Sequence, residues 1–448
     1  MRAPSAPPDR RGRARLLVLG APLVFAGALA GLLAGVEPFG SWFFVFAWWS
    51  WILGLDGWIH LRRGSSMLLD RPRAFLQLCL ISAAFWCFFE VVNLRLANWY
   101  YVGLPRGTLS RSLGILVSFA TVLPGLLETA DLLATFGLGE RLRVTGRRWR
   151  VDRGRARLVA ALGWAFLLLP LAFPRYAYPL IWGATCLLAE PWLARREEPG
   201  LWTQLAAGRP AVVLRLLVAG AICGLCWESW NYWASAKWIY TVPFFEELKL
   251  FEMPVLGFLG FPAFALEAYT FARLAVALGW IDEWEPGRPE RPAPPRRWLG
   301  AAALGLGFSL LAVAWIDRHL VRSLRTGLDD FESLSAETRA ELEARGVEDV
   351  EEAAAALQGE ELASFERERR LLETALMGRR GARWLASIDV RSVDELAGCE
   401  RDELETRLRR EGHGPAPPPS PAELRVWHRK ARARFERGDS ANGPRIRR

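Results

Sequence analysis

Two carboxylates sit inside apolar runs with an amide three residues on: Glu90 with Asn93, and Glu228 with Asn231. A spacing of i, i+3 puts the two side chains of each pair on one face of a helix. Each pair is followed by Trp-x-Tyr, Trp99 with Tyr101 and Trp238 with Tyr240. A Pro and a further acid come next, Pro124 with Glu128 and Pro262 with Glu267. A carboxylate in an apolar run costs several kcal/mol unless partnered, so each is a candidate functional group. Held as the neutral acid, such a group can protonate an apolar substrate, and aromatic faces stabilise the cation that develops. On this reading Glu90, Glu128, Glu228 and Glu267 are candidate acids. Asn93, Asn231, Trp99, Tyr101, Trp238 and Tyr240 would bind the substrate. The same residues also have a structural reading, in which Glu and Asn bridge neighbouring helices and Trp-x-Tyr forms an interfacial belt.

The elements that position these residues are apolar. A helix that crosses a bilayer needs about 20 mostly apolar residues. Nine such stretches begin near Leu16, Gly40, Ala74, Ser112, Leu158, Tyr178, Ala211, Leu250 and Trp298. The motif residues recur in order along them. Arg71-Pro72 precedes Glu90 by the same 19 positions as Arg209-Pro210 precedes Glu228. Trp99 precedes Glu128 by the same 29 positions as Trp238 precedes Glu267. Matched anchors at matched offsets mark an internal duplication. Each copy holds four spans, so the copies run the same way through the membrane. The expected fold is all-α: two parallel four-helix membrane repeats, residues 16–137 and 158–280, and a ninth span at 298–316. A Pro-rich loop, 281–297, separates the second repeat from that span.

Charge orients this plan. The segment before Leu16 carries five Arg, and eight lie between Arg141 and Arg157. Both the N-terminus (1–15) and the basic loop (138–157) are therefore expected in the cytoplasm of a multi-pass cell-membrane protein. Nine spans would leave the C-terminal region outside, although Arg318, Arg322 and Arg325 argue for the other side. The net charge of +9 is thus read as loop charge rather than as a nucleic-acid footprint. The four His are scattered, and Cys223-x-x-Cys226 lies inside a span without a second pair, so neither metal nor cofactor is implied.

Depth constrains the chemistry. At 1.5 Å per residue, Glu90 rises about 28 Å from Arg71, to the far side of its span. Glu128, read along a straight helix, returns to the near side. The acids can share a site only where Pro124 and Pro262 break their helices, or where irregular backbone such as residues 251–264 dips into the membrane.

The order acid, Trp-x-Tyr nine positions on in the first half and ten in the second, Pro, then Glu resembles the integral-membrane lycopene cyclase domains of carotenoid synthesis, which also occur in tandem. The resemblance covers about 40 residues of each half. It implies cofactor-free, acid-initiated chemistry on a polyene within the bilayer. The chain departs from the family pattern: Glu stands where the family has Asp, a single Glu at longer spacing replaces a Glu pair, the loop after Trp-x-Tyr is longer, and each copy has four spans where the family domain has about three.

From Ser335 the chain is charged and helical. Segments from Leu334 and from Met377 read alike: helix, turn with a β-branched residue, then a helix capped at Asp349 or Ser392. This resembles tandem helix-hairpin-helix modules over residues 330–429, with a disordered basic tail at 430–448. Acidic residues dominate 332–373, and the Gly-hydrophobic-Gly hairpin is degraded to Gly378-Arg379-Arg380-Gly381. The expected partners are therefore membrane lipid, a lipophilic substrate and a protein bound by this domain, not DNA. The competing functions are an isoprenoid-modifying enzyme and a non-enzymatic transport or scaffold protein.

Overall fold

The structure, a computed structural model, describes residues 8–143, 152–244, 248–347 and 349–437. The N-terminal seven residues, the middle of the basic loop and the end of the tail lie outside them. The chain forms two compact units.

The first unit holds Met1–Trp99, Thr108–Ser235 and Val242–His319. Its first half runs α1 (Pro8–Leu33), α2 (Phe39–Arg63), a short α3 (Met67–Asp70), α4 (Pro72–Leu96), α5 (Thr108–Phe119) and α6 (Val122–Thr135). Its second half runs α7 (Arg153–Ala172), α8 (Pro174–Ala177), α9 (Ala184–Arg195), a short α10 (Leu201–Ala206), α11 (Ala211–Trp233) and α12 (Gly260–Ala277), and α13 (Pro295–His319) follows. The packing repeats as the spacing predicts. α1 packs on α2 as α7 packs on α9; α2 and α4 pack on α6 as α9 and α11 pack on α12. Seven helices among the described residues are long and apolar enough to cross a membrane, and this is a multi-pass membrane protein. The other two of the nine expected spans differ. α2 has 25 residues but is rich in Trp and carries Asp56, His60 and a terminal Arg pair. The stretch from Tyr178 is broken into a 3₁₀ turn and the 12-residue α9.

Local chemistry explains the breaks. Pro124 and Pro262 each stand in the first turn of a helix, α6 and α12, where a missing N–H is tolerated. The interruption falls before them: at residues 120–121 in the first copy, and in the 3₁₀ turn Val255–Leu259 in the second. That turn follows a small hairpin of Lys249–Leu250 with Met253–Pro254, so residues 251–259 are irregular as expected, while 260–264 already belong to α12. α13 packs on α4 and α5, tied by Arg111 to Asp317 at 2.5 and 3.0 Å.

The second unit holds Leu320–Arg448 together with Tyr100–Gly107 and Ala236–Thr241. Strands β1 (Trp99–Val102) and β2 (Lys237–Tyr240) pair with each other. Tyr101 and Leu104 form parallel bridges with Val321 and Leu324. Helices α14 (Ala336–Ala344), α15 (Val350–Ala356), α16 (Gly359–Glu373), α17 (Gly378–Ala386), α18 (Val393–Gly398), α19 (Arg401–Arg410) and α20 (Pro421–Glu436) follow. The two similar segments fold alike. Val347 N–H donates to Leu342 O at 2.9 Å and Val390 N–H to Leu385 O at 3.0 Å, each across a positive-φ residue, Gly346 or Asp389. Asp349 and Ser392 cap the helices that follow. The disordered tail expected from Lys430 is replaced up to Glu436 by α20, whose Val426, Trp427 and Ala431 are buried.

Candidate functional site

Glu90 lies on the last turns of α4 and is fully buried. Trp86, one turn earlier, donates its indole N–H to Glu90 Oε1 at 2.8 Å. Trp99 donates to both oxygens, at 3.1 and 3.2 Å. Asn93 completes the turn: its Oδ1 accepts from the N–H of Asn98 at 2.8 Å, and its Nδ2 donates to Trp99 O at 2.9 Å. Ala97, in the left-handed region, reverses the chain between them. Glu-x-x-Asn thus clamps Trp99 back over the end of its own helix.

Aromatic rings surround this carboxylate. Trp86 lies 5.2 Å from Trp227 and 5.6 Å from Phe264 between ring centres. Trp182 stacks on Phe89 at 5.2 Å and on Trp99 at 6.4 Å. Trp182 and Trp227 come from the second half, so both copies build the cluster around the Glu90 of the first. Chemically, Glu90 is engaged here as a hydrogen-bond acceptor in an aromatic shell.

The remaining expected site residues are distributed elsewhere. Glu228 and Asn231 are fully buried on α11. Glu267 Oε1 accepts from the Thr185 N–H and hydroxyl, both at 2.7 Å. Glu128 lies against Asp56 of α2. Among the described residues neither Glu128 nor Glu267 is hydrogen-bonded to Glu90 or Glu228. Tyr101, Trp238 and Tyr240 belong to strands of the second unit. Trp238 is half-buried where Trp99 is buried, so the two Trp-x-Tyr copies are not equivalent.

Comparison with known families, curated proteins and solved structures finds no match to this chain.

The site residues that sequence reading missed are a second set of buried acids. Asp56 accepts from Ser66 Oγ at 2.8 Å and from Leu68 N–H at 2.6 Å. Glu190 accepts from the N–H groups of Leu201 and Trp202 at 3.0 and 2.8 Å, and from Thr270 Oγ1 at 2.8 Å. In both halves an acid on the second main helix caps the short helix that follows, α3 or α10, and reaches an amide 12 residues on. That equal interval was the available signal. Arg273 and Glu283 form a buried bidentate pair at 2.7 and 2.9 Å.

The second unit contains its own cavity of about 570 Å³, lined by Glu332, Ser333, Arg367, Glu368, Arg379 and Arg383 among others. Glu368 holds the N–H groups of Glu332 and Ser333, both at 2.8 Å, and Arg383 meets Glu332 at 2.8 Å. Among the described residues no group of three or more His, Cys, Asp or Glu is placed to hold a metal ion.

Proposed function

We propose that the chain is a membrane-embedded scaffold whose C-terminal unit is an interaction module. The observation that carries this reading is the fate of the Trp-x-Tyr segments. Both leave the membrane repeats to pair as β1 and β2, and their Tyr100, Val102 and Ile239 lie in the hydrophobic core that includes Leu385, Leu396 and Trp427. Conserving apolar burial in this way needs no substrate. The chain passes into the second unit three times, after α4, after α11 and after α13. Its cavity, lined by charged side chains, is the natural point for a protein partner. A photo-crosslinking residue at Arg367 in native membranes should yield a discrete partner band, absent when the crosslinker replaces lipid-facing Leu19. Equal bands at both positions would remove the reading.

The aromatic shell of Glu90 favours one competing function, acid chemistry on an isoprenoid, as the resemblance to lycopene cyclases implies. Pigment analysis of lycopene-accumulating bacteria that express the chain separates the two. The scaffold reading expects an unchanged profile; a cyclised product that disappears with Glu90→Gln would establish the enzyme instead.

We also infer that the N-terminus is cytoplasmic and the C-terminal unit external. Arg322 and Arg325, which argued for the opposite side, meet Glu423 at 3.5 Å and Asp349 at 3.6 Å inside the second unit. A Ser335→Cys chain should react with a membrane-impermeant maleimide in intact cells. Reaction only after lysis would reverse the orientation.

A further inference from the structure

We propose that Asp56 and Glu128 form a proton-binding site inside the membrane unit, with one proton shared between the two carboxyls. Both residues are fully buried, at 0% exposure. Asp56 has donors of its own in Ser66 Oγ and Leu68 N–H. Glu128 has none: neither oxygen meets an N–H or O–H donor among the described residues, yet α2 packs on α6 and brings its carboxyl near enough to that of Asp56 for the two to interact. Two bare carboxylates in contact repel strongly where water is excluded. A single proton converts that repulsion into an O–H to O hydrogen bond, donated by Glu128 to Asp56.

The second copy serves as an internal control. There the equivalent acid, Glu267, receives the N–H and hydroxyl of Thr185, and Glu190 receives the hydroxyl of Thr270 as well as its two amides. Thr270 stands three residues after Glu267; three residues after Glu128 stands Asp131. A hydroxyl donor in one copy is thus a third carboxylate in the other. Arg63 meets that carboxylate with both nitrogens, at 2.5 and 2.6 Å, and so compensates Asp131 rather than the pair.

The other groups packed on α6 leave the assignment intact. Cys79 faces Glu128 from α4, and Cys223 of α11 is turned to Thr129. On α12, Glu267 is turned to Thr185 and Arg273 to Glu283. The exchange route runs along the helix ends. Arg63 is the last residue of α2, and the Arg63 and Asp131 side chains are 30% and 15% exposed.

The test is infrared difference spectroscopy on the full chain in lipid at neutral pH. Gln at 128 keeps the size of the acid and supplies an N–H to Asp56; Asn at 56 does the converse. Glu128→Gln and Asp56→Asn should each remove one protonated-carboxyl C=O band, and it should be the same band, whereas Glu267→Gln should leave that band in place. Persistence of every such band in both variants would overturn the proposal. If the variants do not fold, the wild-type chain decides through a lipid-soluble carbodiimide, which modifies protonated carboxyls. One adduct at Glu128 or Asp56, found by peptide mass spectrometry, supports the site, and its absence overturns it.

Discussion

At the scale of single residues, the buried acids differ in what their surroundings supply. Glu90 could be paired by eye with Trp86, because i and i+4 share a helix face. Its second partner, Trp99, required a chain reversal at Ala97 that no local spacing announces. Arg273 and Glu283 are the strongest case of mutual dependence, 1% and 6% exposed. Burial pushes the Glu283 carboxyl up, but the hydrogen bond and charge of Arg273 outweigh it and leave the group below its ordinary value. The sign follows. Ionised Glu283 stabilises the fold at pH values above the usual carboxylate range, and that contribution is lost as pH falls through the lowered value. Glu283→Gln should cost about 3 kcal/mol at neutral pH, because the Arg273 charge stays buried without its partner. It should also flatten the acid limb of a stability-against-pH curve. Unfolding in mixed micelles measures both, and an unchanged neutral midpoint would contradict the prediction.

At the scale of elements, the repeated packing depends on close approach. A side-chain carbon at Gly220 would come within 2.5 Å of Phe261 O and 2.8 Å of Pro262 Cα, and one at Gly224 within 2.5 Å of the Phe261 ring. This small-x-x-x-small face lets α11 lie against the start of α12. Gly220→Val should separate the two helices and lower the thermal midpoint of the purified protein. The same change at Gly300, where nothing lies within 4 Å, should leave it alone. The carboxylate caps form a second class of element contact. Glu190→Ala removes the acceptor for two amides and a hydroxyl and should cost about 2 kcal/mol. Faster hydrogen exchange confined to α10 would show the predicted local loss; uniform protection would argue against the cap.

At the scale of the whole molecule, the second unit is assembled from three separate stretches of chain. A fragment of residues 320–437 would lack Tyr100, Val102 and Ile239 from its core. It should bind a hydrophobic dye and be cleaved quickly by protease, whereas the same residues in the full chain resist. Equal resistance would mean that the strands are dispensable. Trp427→Ala, which empties a fully buried position of the same core, should cost about 3–5 kcal/mol.

Much of this protein was legible before any fold was known. Long apolar runs, Arg-rich loops and a motif order that recurs at equal offsets are local properties of the chain, and they were enough for a duplicated helical membrane protein with a helical C-terminal region. Which groups would meet was not legible, because it depends on contacts between residues far apart in the chain. Trp-x-Tyr has the composition of an interfacial belt, yet its two copies pair with each other as strands, and Tyr101 of the first also bridges to Val321. Glu128 and Glu267 occupy the same place in the repeat, yet only tertiary structure sets one against Asp56 and the other against Thr185. A carboxylate's chemistry is decided by the donors around it, and those come from other helices.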